Sequence, residues 1–77
     1  MADTAPISLD LRHLRCPMPV LRTRKALKAA PSGQVLEVRC TDPLAAIDIP
    51  HLLQQTGDIL LGLERGDTDL VFTIRKA

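Results

Sequence analysis

The chain has almost no aromatic side chains. It contains one Phe and neither Tyr nor Trp among its 77 residues, so its core must be built from aliphatic side chains. A chain of this length buries only roughly 60% of the surface that it exposes when unfolded, which leaves no room for a deep enzyme cleft. The shortage of aromatics also counts against single-stranded nucleic acid as a ligand, because such sites stack bases on aromatic rings.

The sequence also has few cysteines and no long apolar run. Two Cys in a small chain do not indicate a disulfide framework. No stretch is typical of a signal peptide or a membrane span. We therefore expect a cytoplasmic protein whose thiols stay reduced. Residues 1–6 are expected to form a flexible lead-in, and residues 7–77 a single domain.

Apolar periodicity predicts four strands and two helices. Strict alternation predicts strands, and apolar positions three and four residues apart predict helices. Pro50 forbids one smooth helix after Asp42-Pro43, so we expect a short turn over residues 43–47 and a second helix starting near Asp48. The predicted strands are residues 7–11, 35–40, 59–63 and 70–74, and the predicted helices are residues 17–30 and 48–56.

Each predicted strand has one apolar face and one mostly polar face. Both helices should therefore cover the same side of the sheet. The expected fold is an α/β two-layer sandwich of order β-α-β-α-β-β, with two helices on one face of a four-stranded mixed sheet. The first crossover should be right-handed, which makes the first two strands parallel.

Cys16 is the strongest candidate for a reactive residue. It is followed by Pro17-Met18-Pro19 at the start of the first predicted helix. Prolines are tolerated in the first turn, and Pro17 favours an extended Cys16, as an N-cap requires. The helix start and the nearby basic residues favour a thiolate. We therefore predict a pKa below the ordinary thiol value of about 8.5 for Cys16.

The charges are distributed unevenly along the chain. Six basic residues and no acidic residue lie between Leu11 and Ala30, whereas the rest of the chain holds four basic and nine acidic residues. This pattern is typical either of a surface that steers an acidic partner towards the thiol or of an ordinary solvated helix face. Arg22 and Lys25 are one turn apart near the Cys16 end, and we predict that they bind a partner.

The remaining candidates have more ordinary interpretations. Cys40 shares its strand face with Leu36 and Val38, so we expect a core cysteine, with a resolving thiol for Cys16 as the alternative. Met18 either contacts a partner or fills space. His13 and Cys16 are the only closely spaced His and Cys pair, so no metal site is expected. His51 is expected to be a surface residue.

The stretch from Leu9 to Pro19 resembles the TusA/SirA family of small sulfur-carrier proteins. Its hallmark is a Cys-Pro-x-Pro motif at the start of the first helix. The family's Asp-Pro and Asp-Ile-Pro segments are matched by residues 42–43 and 48–50, and its two-layer α/β fold agrees with the element order above. One position departs from the pattern: His13 stands where the family commonly has Gly, and a positive φ there would be costly for His.

The resemblance implies that Cys16 accepts sulfane sulfur as a persulfide and relays it to an acceptor protein. The residues that would support Cys16 in this motif are Arg15, Pro17, Met18 and Pro19. The implied donor is a protein such as a cysteine desulfurase or a rhodanese, and the implied pathways are sulfur trafficking, tRNA thiolation or sulfur oxidation. No cofactor is expected beyond the transient cysteine persulfide.

The chain would act as a sulfurtransferase-type carrier rather than a turnover enzyme. The alternative is an RNA-binding or regulatory module that uses the basic first helix. A thiol–disulfide oxidoreductase is disfavoured because Pro19 stands where a second Cys would be needed.

Overall fold

Six elements follow one another in the predicted order in the computed structural model, which describes residues 5–77. The first four residues of the expected lead-in lie outside the described residues. Within the described range, neither helix is long and apolar enough to cross a membrane. The elements are β1 (Ile7–Leu11), α1 (Met18–Ala29), β2 (Val35–Cys40), α2 (Ala45–Thr56), β3 (Ile59–Arg65) and β4 (Leu70–Arg75).

The four strands form one mixed sheet of spatial order β1-β2-β4-β3. β1 and β2 are parallel, as the crossover rule predicts, and β4 is antiparallel to both β2 and β3. The register places apolar residues opposite one another, because Leu9 pairs with Val38 and Val38 pairs with Phe72. One face of the sheet is therefore continuously apolar.

Both helices pack on that apolar face. The buried side chains of α1 and α2 join those of the strands in a single cluster around Phe72, the one aromatic residue. Thr23 interrupts the apolar face of α1, yet it is fully buried, and its hydroxyl donates to the Pro19 carbonyl at 2.7 Å. The hydroxyl is thereby satisfied inside the core. The predicted two-layer sandwich is confirmed.

The helix starts differ from the predictions. α1 begins at Met18 with Pro17 as its N-cap, so Cys16 precedes the cap that we expected it to form. α2 begins at Ala45 rather than near Asp48, and Pro50 lies within it. The first amides of α2, from Ala45 onwards, donate to carbonyls three residues earlier. The helix therefore begins with a tightened turn of the 3₁₀ type. Pro50 removes one later helical hydrogen bond without ending the helix.

Strand β3 does not keep the predicted alternation of Ile59, Leu61 and Leu63. A register shift between Leu60 and Gly62 leaves Leu61 without a partner on β4. Leu60 and Leu63 consequently lie opposite the buried Ile74 and Phe72, but only Leu63 is half-buried, and both Leu60 and Leu61 are exposed. A bulge of this kind is common on edge strands, where it disturbs the ladder that another chain could extend.

The topology brings both helix starts to one edge of the sheet. α1 follows β1 and α2 follows β2, and these strands are parallel neighbours. The carboxyl ends of parallel strands meet at the same edge, which is where sites in open α/β sheets concentrate. The last pair in the register joins Leu11 to Cys40, so the two following loops start side by side. Cys16 lies in the first of these loops.

Candidate functional site

The loop between β1 and α1 is anchored to the loop between β2 and α2 by hydrogen bonds from its backbone amides to side-chain oxygens. The amide of Cys16 donates to Asp42 Oδ2 at 2.7 Å, and the amide of His13 donates to Thr41 Oγ1 at 2.8 Å. Asp42 also accepts from the amide of Leu44 through Oδ1 at 3.0 Å. One carboxylate thus fixes the backbone of Cys16 and caps the turn that leads into α2.

These donors lower the pKa of Asp42. The amide of Leu44 contributes most, the amide of Cys16 follows, and the charge of Arg15 adds to both. Asp42 is therefore an anion at neutral pH. In the sequence, Asp42 was noted before the expected turn over residues 43–47 and as part of the Asp-Pro segment. Its contact with Cys16 is a tertiary feature that local patterns do not reveal.

His13 adopts the left-handed conformation, with φ of 72°. This is the position at which the family pattern commonly has Gly, and the positive φ that we considered there is confirmed. A left-handed L-residue is strained, because its Cβ approaches the following carbonyl oxygen. The hydrogen bond from the His13 amide to Thr41 helps to hold the strained turn in place.

The thiol of Cys16 is exposed and contacts a carboxylate. Its Sγ donates to Asp48 Oδ2 at 3.3 Å. Asp48 lies in α2, so the contact joins the loop before α1 to the second helix. Asp48 was noted in the sequence as the expected start of the second helix and as part of the Asp-Ile-Pro segment, and neither observation predicted its contact with the thiol.

This carboxylate reverses the predicted acidity of the thiol. The pKa of Cys16 is raised above its ordinary value, first by the hydrogen bond to Asp48, then by desolvation and by the charges of Asp48 and Asp42. The expectation of a lowered pKa was wrong. Nearby donors do not compensate, because the amide of Cys16 is bound to Asp42 and the amide of Met18 donates to the Arg15 carbonyl.

Cys16 lies where two surface grooves meet. The larger groove, of about 720 Å³, runs between the two loops, and the smaller one, of about 250 Å³, runs between the helices. The loop groove is lined by His13, Leu14, Arg15, Cys16, Thr41, Asp42, Pro43 and Leu44. The interhelical groove is lined by Cys16, Pro17, Val20, Arg24, Asp48, His51, Leu52 and Gln55. The thiol is therefore accessible from two directions.

The rest of the predicted motif surrounds the thiol as follows. Arg15 and Pro17 are exposed, Met18 is half-buried, and Pro19 is fully buried beneath the start of α1. Pro19 consequently acts through packing, whereas Arg15 lines the loop groove directly. The half-buried position of Met18 leaves both of its interpretations open.

The predicted partner-binding residues lie on α1. Arg22 and Lys25 are both exposed. Among the described residues, the α1 cation that lines the interhelical groove beside Cys16 is Arg24. The binding roles of Arg22 and Lys25 stay predictions. Sequence reasoning placed Arg24 in the basic stretch but did not single it out, because helical spacing alone does not show which cation faces α2.

Cys40 and His51 match their predictions. Cys40 has no exposed surface, and its burial, with a smaller contribution from Asp42, raises its pKa to about 11. It is a core cysteine and a free thiol. His51 is exposed on α2, where its Nε2 lies 3.4 Å from Gln55 Nε2. Within residues 5–77, no group of three His, Cys, Asp or Glu side chains is placed to hold a metal ion.

Known proteins of similar sequence point in one direction. A family model described as "Sulfurtransferase TusA" matches residues 7–76. The chain is 41% identical over 69 residues to the "Sulfur carrier protein TusA" of Allochromatium vinosum, and the match covers 90% of this chain and 91% of that protein. A relative from Aquifex aeolicus is 41% identical over 70 residues, but the chain covers only 36% of its length.

A solved structure has the same fold. The crystal structure of a SirA-like protein from Desulfitobacterium hafniense superposes on this chain with a TM-score of 0.77 and 26% sequence identity. The match covers 90% of this chain and 95% of that one. The similarity therefore extends over all six elements rather than over a shared motif alone.

Proposed function

The chain belongs to the TusA sulfurtransferase family of sulfur carriers, and on this premise we propose that Cys16 is the residue on which the sulfur travels. The observation that carries the proposal is the contrast between the two thiols. Cys16 is exposed at the meeting point of two grooves, whereas Cys40 is fully buried. Thiol exchange needs access above all, and among the cysteines only Cys16 has it.

Loading of the carrier is a transfer between thiols. The thiolate of Cys16 attacks the outer sulfur of a donor persulfide, the donor's S–S bond breaks, and the donor's inner sulfur leaves as a thiolate that takes up a proton. The carrier then holds Cys16–S–SH and the donor a free thiol, with no net oxidation. Hand-off repeats the same step with an acceptor thiol as the attacking group.

The site suits protein partners. The family works in sulfur relay with other proteins, and we propose a donor such as a cysteine desulfurase or a rhodanese and a thiol-bearing acceptor protein. The open grooves on both sides of Cys16 leave room for an incoming cysteine. Arg22 and Lys25 are proposed to steer acidic partner surfaces. The relay requires reduced thiols, so we place it in the cytoplasm.

The alternative of an RNA-binding module gains no support. The Allochromatium vinosum relative is named a sulfur carrier, and the chain lacks the aromatic surface that base stacking requires. The single Phe is fully buried in the core. No observation at the basic face of α1 favours nucleic acid over an acidic protein.

Loading with a persulfide donor tests the role of Cys16. After incubation with inorganic polysulfide, mass spectrometry should show added sulfur on the wild type and on Cys40→Ala, and none on Cys16→Ser. Cys40→Ala is the matched control, because it removes the other thiol. Sulfur addition to Cys16→Ser at the wild-type level would refute the assignment.

A further inference from the structure

The carboxylate of Asp48 is aimed at the reacting sulfur, although a thiol that must ionise would be expected to avoid one. We propose that Asp48 is a catalytic residue of the relay that keeps the sulfur on Cys16 protonated, as a thiol in the empty carrier and as a neutral persulfide in the loaded one, and thereby promotes release of sulfur to an acceptor. The proposal rests on the proposed role of Cys16.

The geometry permits Asp48 to act on both states. In the empty carrier, Sγ of Cys16 donates to Asp48 Oδ2 at 3.3 Å. The outer sulfur of a persulfide lies about 2 Å beyond Sγ, so rotation about the Cβ–Sγ bond keeps it within reach of the same carboxylate. Asp48 is half-buried, and its neighbour Ile49 is fully buried in the core. The carboxylate is therefore held on a rigid helix rather than on a mobile loop.

The charges around the sulfur act together. The two carboxylates disfavour an anion there, and both raise the pKa of Cys16. The cationic and titratable groups in the two grooves do not reverse this direction. The charged and titratable groups that line the grooves beside Cys16 are His13 and Arg15 from its own loop, Asp42 from the β2–α2 loop, Arg24 from α1, and Asp48 and His51 from α2.

A neutral persulfide is the form that gives up sulfur. An acceptor thiolate attacks the outer sulfur, the S–S bond breaks, and its electron pair goes to Sγ of Cys16. The proton stays on the transferred sulfur, and the Cys16 thiolate then takes a proton from solvent and restores the hydrogen bond to Asp48. An ionised persulfide would carry its negative charge on the atom under attack and would repel the acceptor thiolate.

Two opposing effects of Asp48 decide the rate of release. Well above the pKa of the persulfide, each unit by which Asp48 raises that pKa increases the neutral fraction about tenfold. The same carboxylate makes Cys16 a poorer leaving group. The Brønsted coefficient of the attacking thiol in such exchange is about 0.4–0.5, and a leaving-group sensitivity of the same size limits that loss to about threefold per unit. The net effect is therefore faster release, by about threefold per unit of pKa shift.

The pH profile of release tests the proposal. Wild type, Asp48→Asn and Asp67→Asn are loaded with inorganic polysulfide, and the rate of sulfur transfer to 2-mercaptoethanol is measured per acceptor thiolate from acidic to alkaline pH. Asp67→Asn is the matched control, because it removes the same charge from the exposed turn between β3 and β4. At alkaline pH, Asp48→Asn should release sulfur more slowly than wild type, by about threefold for each unit by which Asp48 raises the persulfide pKa. At acidic pH both persulfides are neutral and only the leaving-group effect remains, so Asp48→Asn should release sulfur at least as fast as wild type.

Asp48→Glu keeps the negative charge and should retain the wild-type pH profile of sulfur release. In the unloaded Asp48→Asn carrier, the pH midpoint for alkylation of Cys16 should fall. Equal release by Asp48→Asn and wild type at every pH would overturn the proposal. A loss of the same size at every pH would also overturn it, because it would indicate a structural role. Failure of the proposed function would be visible earlier and separately, as wild type that gains no sulfur on Cys16.

Discussion

The buried thiol of Cys40 should make the protein less stable as the pH rises. Burial raises the pKa of Cys40 to about 11, whereas an unfolded chain exposes the thiol at its ordinary pKa of about 8.5. Between these values the unfolded state has lost a proton that the native state keeps. The stability that this thiol contributes is fully present below the unfolded pKa and is lost as the pH rises towards the folded one.

The size of the effect follows from the two pKa values. A one-proton difference changes the free energy of unfolding by about 1.4 kcal/mol per pH unit, which gives an upper bound of about 2 kcal/mol between about pH 8 and pH 10. Cys40 is the last residue of β2, close to the sheet edge. Solvent screening there reduces the bound, so we expect a loss of about 1–2 kcal/mol.

The assay is urea unfolding followed by far-ultraviolet circular dichroism at both pH values. The background is Cys16→Ser, which removes the exposed thiol, and the chain has no Tyr to titrate in this range. The comparison variant adds Cys40→Val, which cannot ionise and should lose about 1–2 kcal/mol less stability over the same interval. Equal losses with and without Cys40 would refute the reasoning, because alkaline destabilisation would then come from other groups.

Two further predictions concern the site and its partners. Replacing both Arg22 and Lys25 by Glu should slow sulfur transfer from a protein donor, most strongly at low salt, and should leave loading from inorganic polysulfide intact. Arg75→Glu, on the exposed sheet face, is the control. An equal loss of rate with both kinds of donor would rule out docking. His13→Gly should stabilise the fold by up to about 1 kcal/mol in urea unfolding, because relief of left-handed strain exceeds the added chain entropy. Lower stability of His13→Gly would show that the His side chain makes a compensating contact.

The element order and the core face were predictable because they depend on local periodicity. Alternation in β2 and β4 identified the buried residues, including Val38 and Phe72, and the parallel pairing followed from the handedness of the crossover. The start of α2 was not predictable from Pro50 alone. A proline costs a helix one hydrogen bond, and tertiary packing of Ala45 and Ile49 in the core outweighs that cost.

The chemical character of the site was only half predictable. The Cys-Pro-x-Pro motif located the exposed thiol at a helix start, but charge counted along the chain suggested a cationic environment. The carboxylates that determine the pKa come from Asp42 and Asp48, which are 26 and 32 residues away in sequence. A helix start and neighbouring cations can be recognised from the local sequence. The contacts of the two carboxylates with Cys16 depend instead on how the sheet positions the two loops and α2.

The most direct test of the carrier assignment follows a single sulfur atom through the relay. The protein is loaded with radiolabelled sulfane sulfur, alkylated to trap the persulfide, and digested, so that the label can be assigned to the peptide with Cys16 or to that with Cys40. A second sample is mixed with a thiol acceptor before trapping. The account predicts that the label starts on Cys16 and reappears on the acceptor in equal amount; label on Cys40, or label that stays on the protein while the acceptor remains unlabelled, would contradict it.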